Sequence, residues 1–254
     1  MIKKTLKYTL IVLIWLGIWQ GAAMIVGKEL LLPSPLSVLA RMGELCLTSR
    51  LYLTVGTSLL RVVTGLLLGV VLGIVGGVLS ASCGLIKDLF SPLLAVVKST
   101  PIASFIILLL LWLDRDSVPV VIATLIVLPV VWSNVETGIS STDKKLLEMA
   151  KAYKLSPAAT VRKIYAPSLS PYLVASLRAS LGMAWKAGIA AEALILPIVA
   201  VGTQIFEAKY NLETVDLFAW TVIVIILSVI IEKITVGLFK SALKNNSVDK
   251  EGAR

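Results

Sequence analysis

The sequence has no histidine and only two cysteines, Cys46 and Cys83, among 254 residues. The commonest zinc sites and thiol–imidazole nucleophiles therefore cannot be assembled within one chain. The two cysteines are expected to be unpaired structural residues. Charge is sparse too: Asp, Glu, Lys and Arg make up 15% of the chain, against about 25% in an average soluble domain. No Gly-Lys is followed by Ser or Thr, so the phosphate loop is missing and the chain cannot hydrolyse ATP alone. No cofactor is expected. Apolar residues are abundant, at 57% of the chain with a mean hydropathy of +0.94, and such a surface calls for lipid. A net charge of +9 could suit nucleic acid. The basic residues, however, lie between apolar stretches rather than on one polar domain, so nucleic acid is not expected as a partner.

Apolar runs of about 18 to 25 residues can cross a bilayer core as helices. Six can be drawn, at 8–26, 54–82, 89–113, 118–139, 172–195 and 217–238. The third is interrupted at Lys98-Ser99-Thr100-Pro101. The expected fold class is all-α, a polytopic membrane protein of about six transmembrane helices in one domain. Lysine and arginine concentrate at Lys3, Lys4, Lys7, Lys87, in 142–167 and in a tail at 240–254. The alternate loops hold only Lys28, Arg41, Arg50, Arg115 and Lys209. Positive flanks stay inside, which places both termini in the cytoplasm and leaves the first helix as an uncleaved span. Gly65, Gly69, Gly73 and Gly77 recur every four residues and predict a bare helix face for close packing.

Between the fourth and fifth spans runs a polar segment. Ser141, Thr142 or Asp143 can cap a helix whose apolar face is Leu146, Leu147, Ala150 and Leu155. Ser156-Pro157 breaks it, and Ala158 to Tyr165 can form a second short helix leading into Pro167. Pattern alone leaves two readings open, docking to a partner or lying on anionic lipid.

Glu148-Met149-Ala150-Lys151-Ala152-Tyr153-Lys154, nine further residues and Ile164-Tyr165-Ala166-Pro167 resemble the Glu-Ala-Ala signature of ABC importer permeases. Glu148, Ala150, Ile164 and Pro167 match in type and spacing. Met149, Lys154 and Ala166 depart, with Lys154 in the usual glycine position. Leu31 to Leu39, Ser58-Leu-Leu-Arg61 with the glycine ladder, Pro92 with Pro101, and Leu177 to Trp185 followed by Ala191-Glu192 are similar to the nitrate, sulfonate, taurine and bicarbonate branch. The resemblance covers about residues 30 to 240. It implies a type I ABC importer permease fold, a homodimer with two ATPase subunits inside and a solute-binding protein outside. It also implies a coupling role for Glu148, Met149, Ala150, Tyr153, Lys154, Leu155, Ile164 and Pro167, with a docking geometry that differs at Lys154.

Ionisable residues inside apolar spans are costly and mark pathway candidates. Lys98 with Ser99 at the Pro101 break, and Lys186 after Trp185, would give a positive pathway for an anion such as a sulfonate, taurine or nitrate. Alternatively each lysine pairs with Glu192 or a backbone carbonyl and only fixes packing. Arg178 and Glu192 are expected in an ion pair or lining the pore, and Arg61 near an interface. The stretch from Pro197 to Asp216 reads as an outward loop. The rivals are import of a vitamin or its precursor by the same architecture, an ion-coupled secondary transporter, and a membrane enzyme. The second would need paired repeats with broken helices in both halves. The third would need intramembrane ligands that this sequence lacks or has few of.

Overall fold

A computed structural model describes residues 2–248. Lys250 and Arg254, expected in the cytoplasmic tail, lie outside the described residues. Helices follow one another with no strand among the described residues: α1 Ile2–Val26, α2 Pro35–Cys46, α3 Ser49–Ser82, α4 Gly84–Ser99, α5 Ile102–Leu109, α6 Ser117–Ser140, α7 Lys144–Ala152, α8 Pro157–Thr160, α9 Ala166–Ile195, α10 Val201–Tyr210 and α11 Thr214–Val248. A π-helical turn, Val161–Tyr165, joins α8 to α9. Two compact units form. One contains the residues up to Ser58 with Glu192–Leu227, and the other contains Leu59–Ala191 with the chain from Ser228.

In the first unit, α2 starts where Ser34 accepts the Ser37 N–H at 3.1 Å and Pro35 occupies the first turn. Both devices favour helix initiation, because the first-turn N–H groups lack intrahelical partners. Arg41 on α2 reaches Asp216 of α11 with two nitrogens and Glu44 with a third. The Asp216 carboxylate, and after it Glu44, hold the Arg41 guanidinium above its ordinary range. Trp19 donates to the Pro33 carbonyl at 3.1 Å and packs on Phe218 with ring centroids 5.9 Å apart. The outward stretch expected as a loop contains α10, and the stretch after α1 contains α2.

The second unit is built on the glycine ladder of α3. A Cβ on Gly65 would strike the Val120 carbonyl, and at Gly69, Gly73 and Gly77 it would meet the Cβ atoms of Val127, Val131 and Val135. Only a bare backbone fits there, so α6 lies directly on α3, and Thr124 donates across the seam to the Gly65 carbonyl at 3.0 Å. Ala123, Val127, Val131 and Val135 are buried in that seam. Trp132 closes it by donating to Ser80 Oγ at 2.9 Å and resting against Phe90.

Among the described residues, four helical segments are long and apolar enough to cross a membrane: Leu6–Val26, Ser49–Ser82, Ser117–Ser140 and Thr214–Ile234. The α4–α5 pair, bent by 101°, makes a fifth if it is one broken span. The helices on either side of this bend cover Gly84 to Leu109 rather than 89–113, because Leu110 and the residues after it turn out of helix. The remaining long helix, α9, has 30 residues, roughly 45 Å of rise, but Arg178, Lys186, Glu192 and buried serines at 176 and 180 make it less apolar. Cys46 and Cys83 are free and both exposed, so neither serves as a core residue.

Candidate functional site

The polar segment between α6 and α9 forms a joint. Asp143 caps α7 by accepting the Lys145 N–H at 2.9 Å. At the other end of α7, Tyr153 N–H donates to the Met149 carbonyl, Lys154 N–H to Lys151 and Leu155 N–H to Ala150, at 2.9, 3.0 and 2.9 Å. The bond from Leu155 back to Ala150 is the six-residue closure of a Schellman motif, and it requires a left-handed residue at Lys154. Lys154 has φ 50°. The chain therefore adopts the backbone that glycine favours without having glycine there. The hydrogen bonds of the reversal outweigh the cost of one left-handed residue at Lys154.

Ser156 then caps the next helix by accepting the Ala159 N–H at 3.2 Å, with Pro157 in its first turn. The second helix of the joint is not a separate short element. It runs through the π-helical turn into α9, and the Ala166 N–H reaches back to the Val161 carbonyl. Pro167 and Pro171 have no N–H to give to Lys163 and to Pro167. A one-residue register shift just before them lets the helix continue.

Ala150 and Ile164 are buried at the centre of the joint, 3% and 4% exposed. Glu148, Lys154 and Pro167 are exposed, as are Met149 (46%) and Tyr153 (76%). Leu155 is half-buried, and with Leu147, Ala150, Pro157, Val161 and Tyr165 it lines a groove of about 440 Å³. The matched small and apolar residues hold the joint closed, while Met149 and Tyr153 present apolar surface outward.

The intramembrane candidates separate into three groups. Lys98 donates to Ser133 Oγ at 2.9 Å, neither to Glu192 nor to a carbonyl, and it borders a cavity of about 410 Å³ with Thr100, Pro101 and Phe105. Ser99 is exposed and donates to the Val96 carbonyl. Lys186 and Arg178 are exposed. Trp185 is buried, 1% exposed, so within this chain it is a packing residue.

Glu192 is fully buried but does not pair with Arg178. The two lie fourteen positions apart on α9, about 21 Å of helical rise. Its Oε2 accepts the Ser58 hydroxyl at 2.8 Å and the Gly202 N–H at 3.2 Å, while Ser58 Oγ accepts the Val201 N–H at 2.9 Å. These two side chains cap the first turn of α10, where a carboxylate also meets the positive end of the helix dipole. Arg61 is held by Asp116 of the same unit. Reading the sequence gave Ser58 no role and missed Ser133 and Asp116. Each lies far along the chain from the residue it serves, 134, 35 and 55 positions away, so no local pattern marks it.

A family model described as binding-protein-dependent transport system inner membrane component matches residues 57–243. The putative aliphatic sulfonates transport permease protein SsuC of Bacillus subtilis is 27% identical over 221 residues, covering 86% of this chain and 79% of that protein. The nitrate import permease protein NrtB of Synechococcus elongatus is 32% identical over 212 residues, covering 76% and 73%. A shorter match, 36% over 75 residues and 30% of this chain, is to the bicarbonate transport system permease protein CmpB of Synechocystis. The glycine seam, the joint and α9 all fall inside the matched region, and this chain belongs to the binding-protein-dependent transport system inner membrane components, the multi-pass permease subunits of ABC importers.

Proposed function

We propose that this chain lines the translocation pathway for a small anion, and that the 142–167 joint is where a separate ATPase grips it. The observation that carries this is the joint's own geometry. Met149 and Tyr153 stand out from a reversal locked by buried Ala150 and Ile164, and the helix leaving it runs without a loop into α9, which bears Arg178 and Lys186. A push on the joint therefore reaches α9 as movement of one rigid element, suited to switching between two packed states. Two copies of the chain, two ATPases inside and a solute-binding protein outside complete the assembly. Both termini lie in the cytoplasm and α9 serves as the sixth span. Relatives named for aliphatic sulfonates, nitrate and bicarbonate all handle anions, and Lys98, Lys186 and Arg178 supply the matching charge.

The test is co-purification of the detergent-solubilised permease with a co-expressed ATPase partner. Tyr153→Ala combined with Met149→Ser should abolish the association and leave the melting temperature unchanged, since both side chains are exposed. Unchanged association would overturn the assignment of this surface, and failure of any ATPase to associate would sink the functional reading. For the pathway, Lys186→Glu should abolish uptake of an anionic substrate without loss of assembly. Uptake equal to that of the unmodified protein would remove Lys186 from it.

A further inference from the structure

We propose that the polar pocket between α2, α10 and the first turns of α11 seats one cationic side chain of the solute-binding protein, with Leu47 and Leu212 as its apolar rim. This rests on the importer reading above and adds where the outer partner sits and by what chemistry. The family's dependence on a binding protein names the partner, and the topology puts the pocket on its side. With α4–α5 and α9 counted as spans, three spans separate the turn before α3 from the 142–167 joint, and one separates the joint from the turn before α11. Both numbers are odd, so both turns lie across the membrane from the ATPase.

The pocket has a firm floor and a surplus of negative charge. Leu45, Leu51, Ala208 and Trp220 are buried beneath about 390 Å³ of space. The charged lining is Arg41, Arg50, Glu207, Glu213 and Asp216, two cations against three carboxylates on a chain whose net charge is +9. Arg41 is already engaged by Asp216 and by Glu44, a further carboxylate. Arg50 approaches Glu207 only to 3.6 Å, and the Glu213 carboxylate has no hydrogen-bond or ion-pair partner among the described residues. Lys209, the one lysine of α10, falls by helical phase on the side away from Gln204, Glu207 and Ala208, which line the pocket. An anion, the transported solute included, is repelled here. No three of these carboxylates gather closely enough to hold a metal ion among the described residues. An ammonium or guanidinium group, with several N–H donors, can instead use Glu213 and the Asn211 side-chain carbonyl together.

The rim shows that the cation arrives on a protein. α10 ends in the same kind of reversal as α7: Leu212 N–H donates to the Lys209 carbonyl at 3.2 Å and Glu213 N–H to the Ala208 carbonyl at 2.8 Å, with Leu212 at φ 60°. Glycine or asparagine suits that backbone better than leucine. This leucine is 67% exposed, so it gains little from packing within the chain. Leu47, which ends α2 beside the lining residue Thr48, is 90% exposed. Exposed leucines on two tight turns flanking a charged pocket form the mixed apolar and polar surface of a protein–protein contact.

Interferometry on the permease–ATPase complex in nanodiscs tests this, with the purified solute-binding protein encoded beside the permease as the probe. Glu213→Lys should weaken binding about tenfold or more, because a like charge then faces the seated cation. Leu47→Ser should weaken it severalfold, as should Leu212→Asn, which keeps the left-handed turn. All three side chains are exposed, so melting temperatures should not change. Asp114→Lys makes the same change of charge on the same membrane side but outside the pocket, and should leave affinity within about twofold. At least one Lys→Glu or Arg→Glu variant of the binding protein should bind the Glu213→Lys complex more tightly than the unmodified binding protein does. Affinity unaffected by Glu213→Lys, equal weakening by Asp114→Lys, or the absence of any restoring variant would each overturn the seat. So would leucine variants without effect, which would leave the rim to lipid. A probe that fails to bind even the unmodified complex would sink the importer assembly and the seat with it, whereas the other failures remove the seat alone.

Discussion

Lys154 occupies a left-handed backbone position, φ 50°, at the end of α7. A side chain there costs on the order of 1 kcal/mol relative to glycine. Lys154→Gly is therefore expected to keep the reversal and raise stability by up to about 1 kcal/mol, offset in part by glycine's greater freedom when unfolded. Lys154→Val, β-branched, should lower it. Thermal melts of the solubilised protein separate the two, and equal melts would mean that the conformation is not retained. At Glu192 the balance is different, because the side chain is fully buried and serves two partners. Glu192→Ala would strand the Gly202 N–H and the Ser58 hydroxyl at a cost of about 2 kcal/mol or more. Glu192→Gln, which keeps an acceptor, should cost less than half of that in the same melts.

The glycine seam makes its prediction on the scale of whole elements. Gly73→Ala forces a Cβ onto Val131 and the Leu128 carbonyl, and overpacking of this kind costs about 1 to 3 kcal/mol. Gly56 lies on the same helix with no atom within 4 Å of an added Cβ, so Gly56→Ala should be neutral or stabilising by up to about 1 kcal/mol. Equal losses at the two positions would show that α3 and α6 do not meet through the ladder. The ladder was legible in the sequence because a four-residue repeat of glycine names one helix face. Its partner was not, since the valines of α6 look like those of any apolar span. The continuity of α8 into α9 was also hidden: 158–165 reads as a short helix leading into Pro167, whereas the π-helical turn at 161–165 lets the helix run on through Pro167 and Pro171.

For the whole molecule, the two native thiols report orientation. Cys46 ends α2 and Cys83 separates α3 from α4, with the 34-residue α3 between them, roughly 50 Å of helix. With the termini inside, a membrane-impermeant maleimide should label Cys46 in the Cys83→Ser variant of intact spheroplasts. It should fail to label Cys83 in the Cys46→Ser variant until the membrane is inverted. The opposite pattern would reverse the topology, and labelling of both from one side would mean that α3 does not cross.

Composition and periodicity by themselves determined that the chain lives in lipid, that it is helical, and where its polar joint lies. These properties are local, since hydropathy and helix phase are set by residues within a few turns of one another. Only the tertiary structure decided which polar groups meet. Glu192 capping α10 through Ser58, Ser133 facing Lys98 and Asp116 holding Arg61 each join distant stretches of chain. An intramembrane charge is stabilised by whichever partner the packed backbones bring within hydrogen-bonding distance, and no spacing along the sequence encodes that choice.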